Sequence, residues 1–274
     1  MRKRQLGSQL RRLRTDAGIS SEAAAAELDC ARSKISHMET GRNAPRKPEL
    51  KALLELYGAP ADAYVTLEAL RIESGERGWW STFKLPNWFS VYVGLEADAV
   101  TMWSFDGETI PGLMQTTDYN RATHQSTPHL AKPGEVERLV EARRRRSLRL
   151  TTPPLLDYRA VISEAAIRRA LGLGEVGTAQ LEHLITLAEQ SNVRLQVLPL
   201  DAGLHASLGG SFVLLDFGGA EVAPPAAFQE FATSGEVADD QEIVAGLTAA
   251  WDLLHTQALS EDDSLSWLRR VAGG

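Results

Sequence analysis

The sequence predicts a multidomain chain: an all-α head of four to five short helices over residues 1–60, then an α+β domain over 79–274. A connecting helix over 61–78 joins them. Three observations predict this. Apolar residues recur at helical spacing in four successive short segments up to Gly58. Beyond residue 150, short apolar runs with strand character alternate with helical patterns and glycine-marked turns. The charge divides along the same line. Residues 1–58 carry twelve Lys/Arg against seven Asp/Glu, whereas the remainder carries seventeen against twenty-nine, for a net −7 overall. A basic head suits a polyanionic partner, and an acidic body is expected to stay off nucleic acid.

The head's elements follow in order. Leu6, Leu10, Leu13 and Ala17 predict a first helix, with Arg11, Arg12 and Arg14 between them and Gly18 as its stop. Ser20 is placed to cap "SEAAAAEL", whose inner face is Ala24, Ala25 and Leu28. After the link "DCA" comes "RSKISHMET", with Ile35 and Met38 facing inward and Gly41 ending it. Cys30, the single cysteine, reads as a small apolar residue at the turn and excludes an internal disulfide framework. A basic loop, "RNAPRKP", leads to "ELKALLELYG", with Leu50, Leu53, Leu54 and Tyr57 inside.

Two short helices joined by about three residues, the second turning polar residues outward, form a helix-turn-helix. The expected base-reading residues are Arg32, Ser33, Lys34 and His37. Arg32 and Lys34 suit guanine O6 and N7 in the major groove. Ser36, Arg42 and Asn43 suit backbone phosphates, which fix position without reading sequence.

Residues 5–58 resemble the XRE (Cro/CI-type) helix-turn-helix domain, on "LGSQLRRLRTDAGIS", "SEAAAAEL", "SKISHMETGRNAP" and "LKALLELYG". The resemblance implies a transcription regulator of the repressor kind and a further phosphate contact at Ser21, where such heads usually carry Gln. The turn has Asp29 where they usually have Gly; Asp tolerates a left-handed backbone better than most residues.

In the body, "PADAYVTLEALRIESGERGWW" predicts a helix leading out of the head, and "GEVERLVEARRRRSLRL" an arginine-rich helix. "LLDYRAVISEAAIRRALG" predicts a strand over 155–162 and then a helix. "TAQLEHLITLAEQSN" is a helix and "VRLQVLPL" a strand. "GLHASLGGSFVLLDF" reads as a turn and a strand, and "AAFQEFATSGEVA" as strand with a turn at Ser234 and Gly235. Two helices with acidic starts, "DDQEIVAGLTAAWDLLHTQAL" and "SEDDSLSWLRRVA", close the chain. These segments, with "WW", "LEADAV" and "IPGLMQTTDYNRA", resemble the actinobacterial domain of unknown function that commonly follows XRE heads. That resemblance implies a developmental or antibiotic-production regulator, with a small acidic protein as a possible partner.

No catalytic constellation is found. "GLHASLGGS" lacks the Lys-Ser/Thr of a phosphate loop, and His124, His129, His183, His205 and His255 show no metal-ligand spacing. Glu164 reads as a helix-start residue before a general base. Arg143, Arg144, Arg145 and Arg146 point all round one helix, so some face the protein; carboxylate pairs or a second phosphate contact are both open. Trp79, Trp80, Trp88, Phe89, Tyr92 and Trp103 form core, a ligand pocket or an interface.

The expectation is a non-enzymatic regulator without a cofactor, which binds double-stranded DNA as a homodimer on a pseudo-palindromic operator. The body would serve dimerisation, a small-molecule effector or a partner protein. The alternatives are an antitoxin-like module acting through a small acidic protein, and a small-molecule sensor. No apolar run is long enough to span a membrane, and a cytoplasmic location, with the nucleoid as the site when DNA-bound, is expected.

Overall fold

The computed structural model describes residues 2–75, 78–127, 133–219 and 223–273. The chain divides into two compact units, Met1–Gly78 with Phe217–Pro224, and Trp79–Asp216 with Pro225–Gly274.

Among the described residues the first unit holds five helices: α1 (Arg2–Asp16), α2 (Ser21–Glu27), α3 (Arg32–Glu39), α4 (Lys47–Leu56) and α5 (Ala61–Glu73). Their apolar stripes meet in one core of Leu6, Leu10, Ala24, Ala25, Ile35, Met38, Leu50, Leu53, Leu54, Tyr57, Leu67 and Leu70. Leu67 and Leu70 belong to α5, so the helix expected as a connector is the fifth wall of this core. It stops at Glu73. Ala17 is a correction: Gly18 turns left-handed at φ +68°, the helix ends at Asp16, and Ala17 is exposed in the turn.

Gly7 lets α1 meet α3 at backbone distance, since a Cβ there would run into the carbonyl oxygens of Met38 and Glu39. Overpacking against backbone has no rotamer escape. Gly7→Ala is expected to destabilise the head by about 1–3 kcal/mol despite alanine's better helix propensity. All six tryptophans lie at residue 79 or beyond. The check is therefore a far-UV circular dichroism transition that moves while tryptophan fluorescence unfolding does not.

The second unit is built on a six-stranded mixed sheet in the order β3-β2-β1-β4-β5-β6. The strands are β1 (Thr101–Asp106), β2 (Asp157–Ser163), β3 (Val193–Leu198), β4 (Phe212–Asp216), β5 (Ala226–Glu230) and β6 (Gly235–Ala238). β1, β2 and β3 run parallel, and β4, β5 and β6 continue the sheet antiparallel from β1. The helices are α6 (Asn87–Asp98), α7 (Thr117–Ser126), α8 (Pro133–Ser147), α9 (Glu164–Leu171), α10 (Glu175–Ala188), α11 (Gln241–Gln257) and α12 (Glu261–Ala272). Asp240 caps α11 by accepting from the Glu242 and Ile243 N–H groups, and Ser260 caps α12 through Asp263 N–H at 3.1 Å.

β1 is one of the two middle strands, yet "TMWSFD" shows no alternation, because both faces of the sheet are covered. α11 covers the face of Phe105, Val161, Leu198 and Phe212. Tyr92 of α6 stacks on Phe228 at 4.0 Å on the other. β3 is an edge strand, and α12 with the residue stretch leading into it covers it: Ser264 Oγ, in the first turn of α12, accepts from Val197 N–H, and Leu259 N–H donates to the Val197 carbonyl, both at 2.9 Å.

The aromatic cluster divides across this sheet. Trp88, Phe89 and Tyr92 pack together and around Phe228, and Trp79 meets Trp80 and Phe83 edge-on. Trp103 faces the α11 side.

The four arginines are used within this unit. Arg146 is buried on Glu96, Arg144 pairs with Glu141 at 2.7 Å, and Arg145 lies over the Trp79 ring at 4.7 Å. Arg143 passes close to Gly112, and burial together with the charge of Arg146 pushes its pKa down to about 10. Glu164 is the first residue of α9; it pairs with Arg168 and accepts from the Leu200 N–H at 3.0 Å. His205 packs edge-on against Phe105 and accepts from the Ser207 N–H. No group of three or more metal-ligating side chains exists among the described residues, and His129 lies outside them. No helix among the described residues is long and apolar enough to cross a membrane.

Candidate nucleic-acid interface

The site is built on α2, the turn after it, and α3. Ser20 Oγ accepts from the Ala23 N–H at 3.0 Å and starts α2. Leu28 closes that helix, and Asp29 takes φ +46°, the left-handed conformation in which the family's usual glycine costs nothing. Cys30 N–H donates to the Ala25 carbonyl, and its half-buried side chain packs against the core. α3 then begins after Ala31, which has no side-chain cap to offer.

Burial along α3 sorts its residues. Ile35 and Met38 are 1% and 2% exposed and hold the helix to the core. Arg32, Ser33 and Ser36 are exposed, and His37 is half-buried. Residues 32, 33, 36 and 37 are related by steps of one, three and four, so they share one outward stripe. Gly41, at φ +73°, turns the chain so that exposed Arg42 and Asn43 follow the end of α3. Asn43 N–H donates to the His37 carbonyl at 3.0 Å and ties this corner down. Ser21, the first residue of α2, is half-buried with its hydroxyl on Glu22 at 3.3 Å.

Two carboxylates, absent from the sequence reading, engage the expected base readers. Arg32 Nη1 meets Glu22 Oε1 at 3.0 Å, with both side chains mostly exposed. Lys34 Nζ meets Glu49 Oε1 at 2.7 Å. Glu49 also accepts from the Arg46 N–H at 2.6 Å at the start of α4. Burial opposes the charge on Glu49, but these two donors outweigh it and lower its pKa. Lys34 is thus anchored between α3 and α4 by one of its three N–H donors, while Arg32 is held only by a solvent-screened pair.

A third carboxylate positions the helix. Arg14 grips Glu39 with two hydrogen bonds, 2.6 and 2.9 Å, and donates a third to the Ile19 carbonyl. The fork ties α1 to the last turn of α3 and takes Glu39 off the outward stripe. The sequence signal for it is an arginine on the flank of the apolar stripe of α1, which does not say which carboxylate answers.

Comparison with known proteins agrees with this architecture. A model described as a helix-turn-helix domain matches residues 5–67. A second, described as a domain of unknown function (DUF5753), matches residues 89–270. No curated protein and no solved structure matches the chain. The second match spans most of the body, and the first covers all four helices that frame the outward stripe. The chain belongs to the DUF5753 family of domains of unknown function, joined to a helix-turn-helix domain of the kind that DNA-binding regulators carry.

Proposed function

We propose that the protein is a sequence-specific, dimeric transcription regulator that reads a pseudo-palindromic operator with α3. The observation that carries this reading is the outward stripe: Arg32, Ser33, Ser36 and His37 have no core duty, while Ile35 and Met38 carry all of it. Arg32 exchanges an exposed ion pair for guanine O6 and N7 at little cost. Lys34 keeps Glu49 with one donor and offers the others to a base edge. The uncapped start of α3 leaves N–H groups for a phosphate, and the side chains of Ser21, Ser36, Arg42 and Asn43 add donors beside it. The body supplies dimerisation, placing two copies of α3 about 34 Å apart on the duplex. The exposed Leu204 and Leu208 (81% and 65%) are apolar surface of the sort that self-association covers.

The test is selection of genomic fragments by the whole chain, with variants alongside. Arg32→Ala is expected to cost about 1–3 kcal/mol on the preferred site and to relax one base position. Arg42→Ala is expected to weaken all sequences alike and to flatten the salt slope by about one. Unchanged base preference in an Arg32→Ala/Lys34→Ala double variant overturns the assignment of the reading face. A one-to-one protein–duplex complex on the enriched site overturns the dimer.

A further inference from the structure

The face of the body's sheet turned towards α11 is only partly filled. Towards the C-terminal ends of the parallel strands, Phe105 and Val161 pack under the helix. Towards their N-terminal ends lies an open cavity of about 710 Å³. Its size is that of a small-molecule site.

The floor of this cavity is one row across four strands. The sheet register places Arg194 beside Arg159, Arg159 beside Trp103, and Trp103 beside Leu214. Like charges on neighbouring strands repel and are destabilising in a folded sheet. Asp157 engages Arg159 through one Nη at 3.0 Å, while the buried Arg159 Nε has no hydrogen-bond partner among the described residues. Arg194 has no ion pair among the described residues. The Arg159 guanidinium also lies over the Trp103 ring at 5.6 Å. Two adjacent guanidiniums with donors to spare, beside an indole, form a cradle for a planar anion.

The far wall is one stripe of α11 with the start of α12. Trp251 contributes apolar surface there, and the carboxylates of Asp252 and Glu261 add acceptors. A ligand seated on the arginines with its ring along the tryptophans would therefore meet acceptors at its other end.

We propose that this cavity is a binding site for an aromatic carboxylic acid bearing a hydroxyl or amino group. Its carboxylate bridges Arg159 and Arg194, its ring lies against Trp103 and Trp251, and its donor faces Asp252 and Glu261. The site is independent of the DNA-binding reading, because its occupancy is measured on the whole chain without DNA.

The probe is 6-hydroxy-2-naphthoate, titrated by calorimetry and by tryptophan fluorescence. 2-Naphthol, which lacks the carboxylate, and cyclohexanecarboxylate, which lacks the aromatic ring, are the comparators. The naphthoate is expected to bind at least tenfold more tightly than either. Arg159→Gln and Arg194→Gln are each expected to remove most of that preference and leave binding of 2-naphthol unchanged. Thr248→Trp, at a cavity-lining position exposed on α11, is expected to block all three. Arg194 is exposed, so its variant keeps the fold; an unchanged melting temperature verifies this. No binding of the naphthoate at millimolar concentration, equal binding of naphthoate and naphthol, or full retention of naphthoate affinity in Arg194→Gln overturns the proposal.

Discussion

Replacing Arg146 by methionine is expected to destabilise the body by about 3–5 kcal/mol, the range for breaking a buried ion pair by removing one partner. Arg146 and Glu96 are 4% and 2% exposed at their side chains and join through two hydrogen bonds of 2.7 and 2.6 Å. Burial works against the charge of Arg146, but Glu96 outweighs it and raises the guanidinium's pKa. Tyr92 donates to the same carboxylate at 2.9 Å, and the guanidinium also lies over the rings of Phe89 and Tyr92. Without Arg146 the carboxylate keeps only the tyrosine and stays out of water.

The same physics predicts what rescues it. A pair replaced together by apolar side chains loses both desolvation costs, so Arg146→Met/Glu96→Leu is expected to recover most of the loss. The measurement is a double-mutant cycle in urea, followed by tryptophan fluorescence. Additive losses in the double variant would show that the pair's charges are not what its neighbourhood depends on. Because these residues are fixed inside the body, they are not available to a phosphate.

Why some of this was legible in the sequence and some not follows from the range of each interaction. The head was readable because its information is local. Ile35 and Met38 lie three residues apart, Ser20 precedes its helix, and Gly18 and Gly41 stand where the chain turns left-handed; each signal acts within one or two turns. Asp29 could be read as a left-handed residue for the same reason. The carboxylate partners were not readable. Glu49 reaches Lys34 across fifteen positions and Glu39 reaches Arg14 across twenty-five, and no local period encodes such pairs.

In the body, the run of arginines announces that some must face inward, but Glu96 lies fifty positions away from Arg146. β1 escaped because a strand covered on both faces loses its alternation. The aromatic stretch 79–103 reads as one cluster along the chain; the pleat of β1 sends Trp103 to the opposite side of the sheet from Tyr92. The Arg194–Arg159–Trp103 row exists only in the register of three strands drawn from distant segments.

The second large effect concerns pH. Asp106, at the C-terminal end of β1, has its carboxyl pKa pushed up to about 7. Burial is the main cause. A hydrogen bond with Ser104 and the positive charge of Arg143 pull it back in part, and the charge of Glu230 adds to the rise. Oδ2 of Asp106 is buried without a hydrogen-bond partner among the described residues. An unfolded aspartate titrates near 4. Between about pH 4 and 7 the folded chain therefore holds a proton that the unfolded chain has released, and stability falls as pH rises through that window. Above about pH 7 the loss is complete and the curve is flat again.

Asp106→Asn keeps the shape and cannot ionise. Relative to it, the wild type is expected to lose about 2–4 kcal/mol between pH 4 and 8, the order set by a shift of this size at 1.36 kcal/mol per pKa unit. Whatever the amide itself costs or gains is constant with pH, so the slope of the difference isolates the carboxyl group. His124 and His183 work the other way: burial lowers both pKa values, for His124 with the help of Arg143, so stability falls as they are forced to protonate in acid. Both histidines remain in the variant and their effects largely cancel in the difference. The measurement is urea unfolding of the two proteins at half-unit steps, read by tryptophan fluorescence, which reports the body alone. A difference that does not change with pH would place Asp106 in contact with water in the folded state and remove the burial argument at its root.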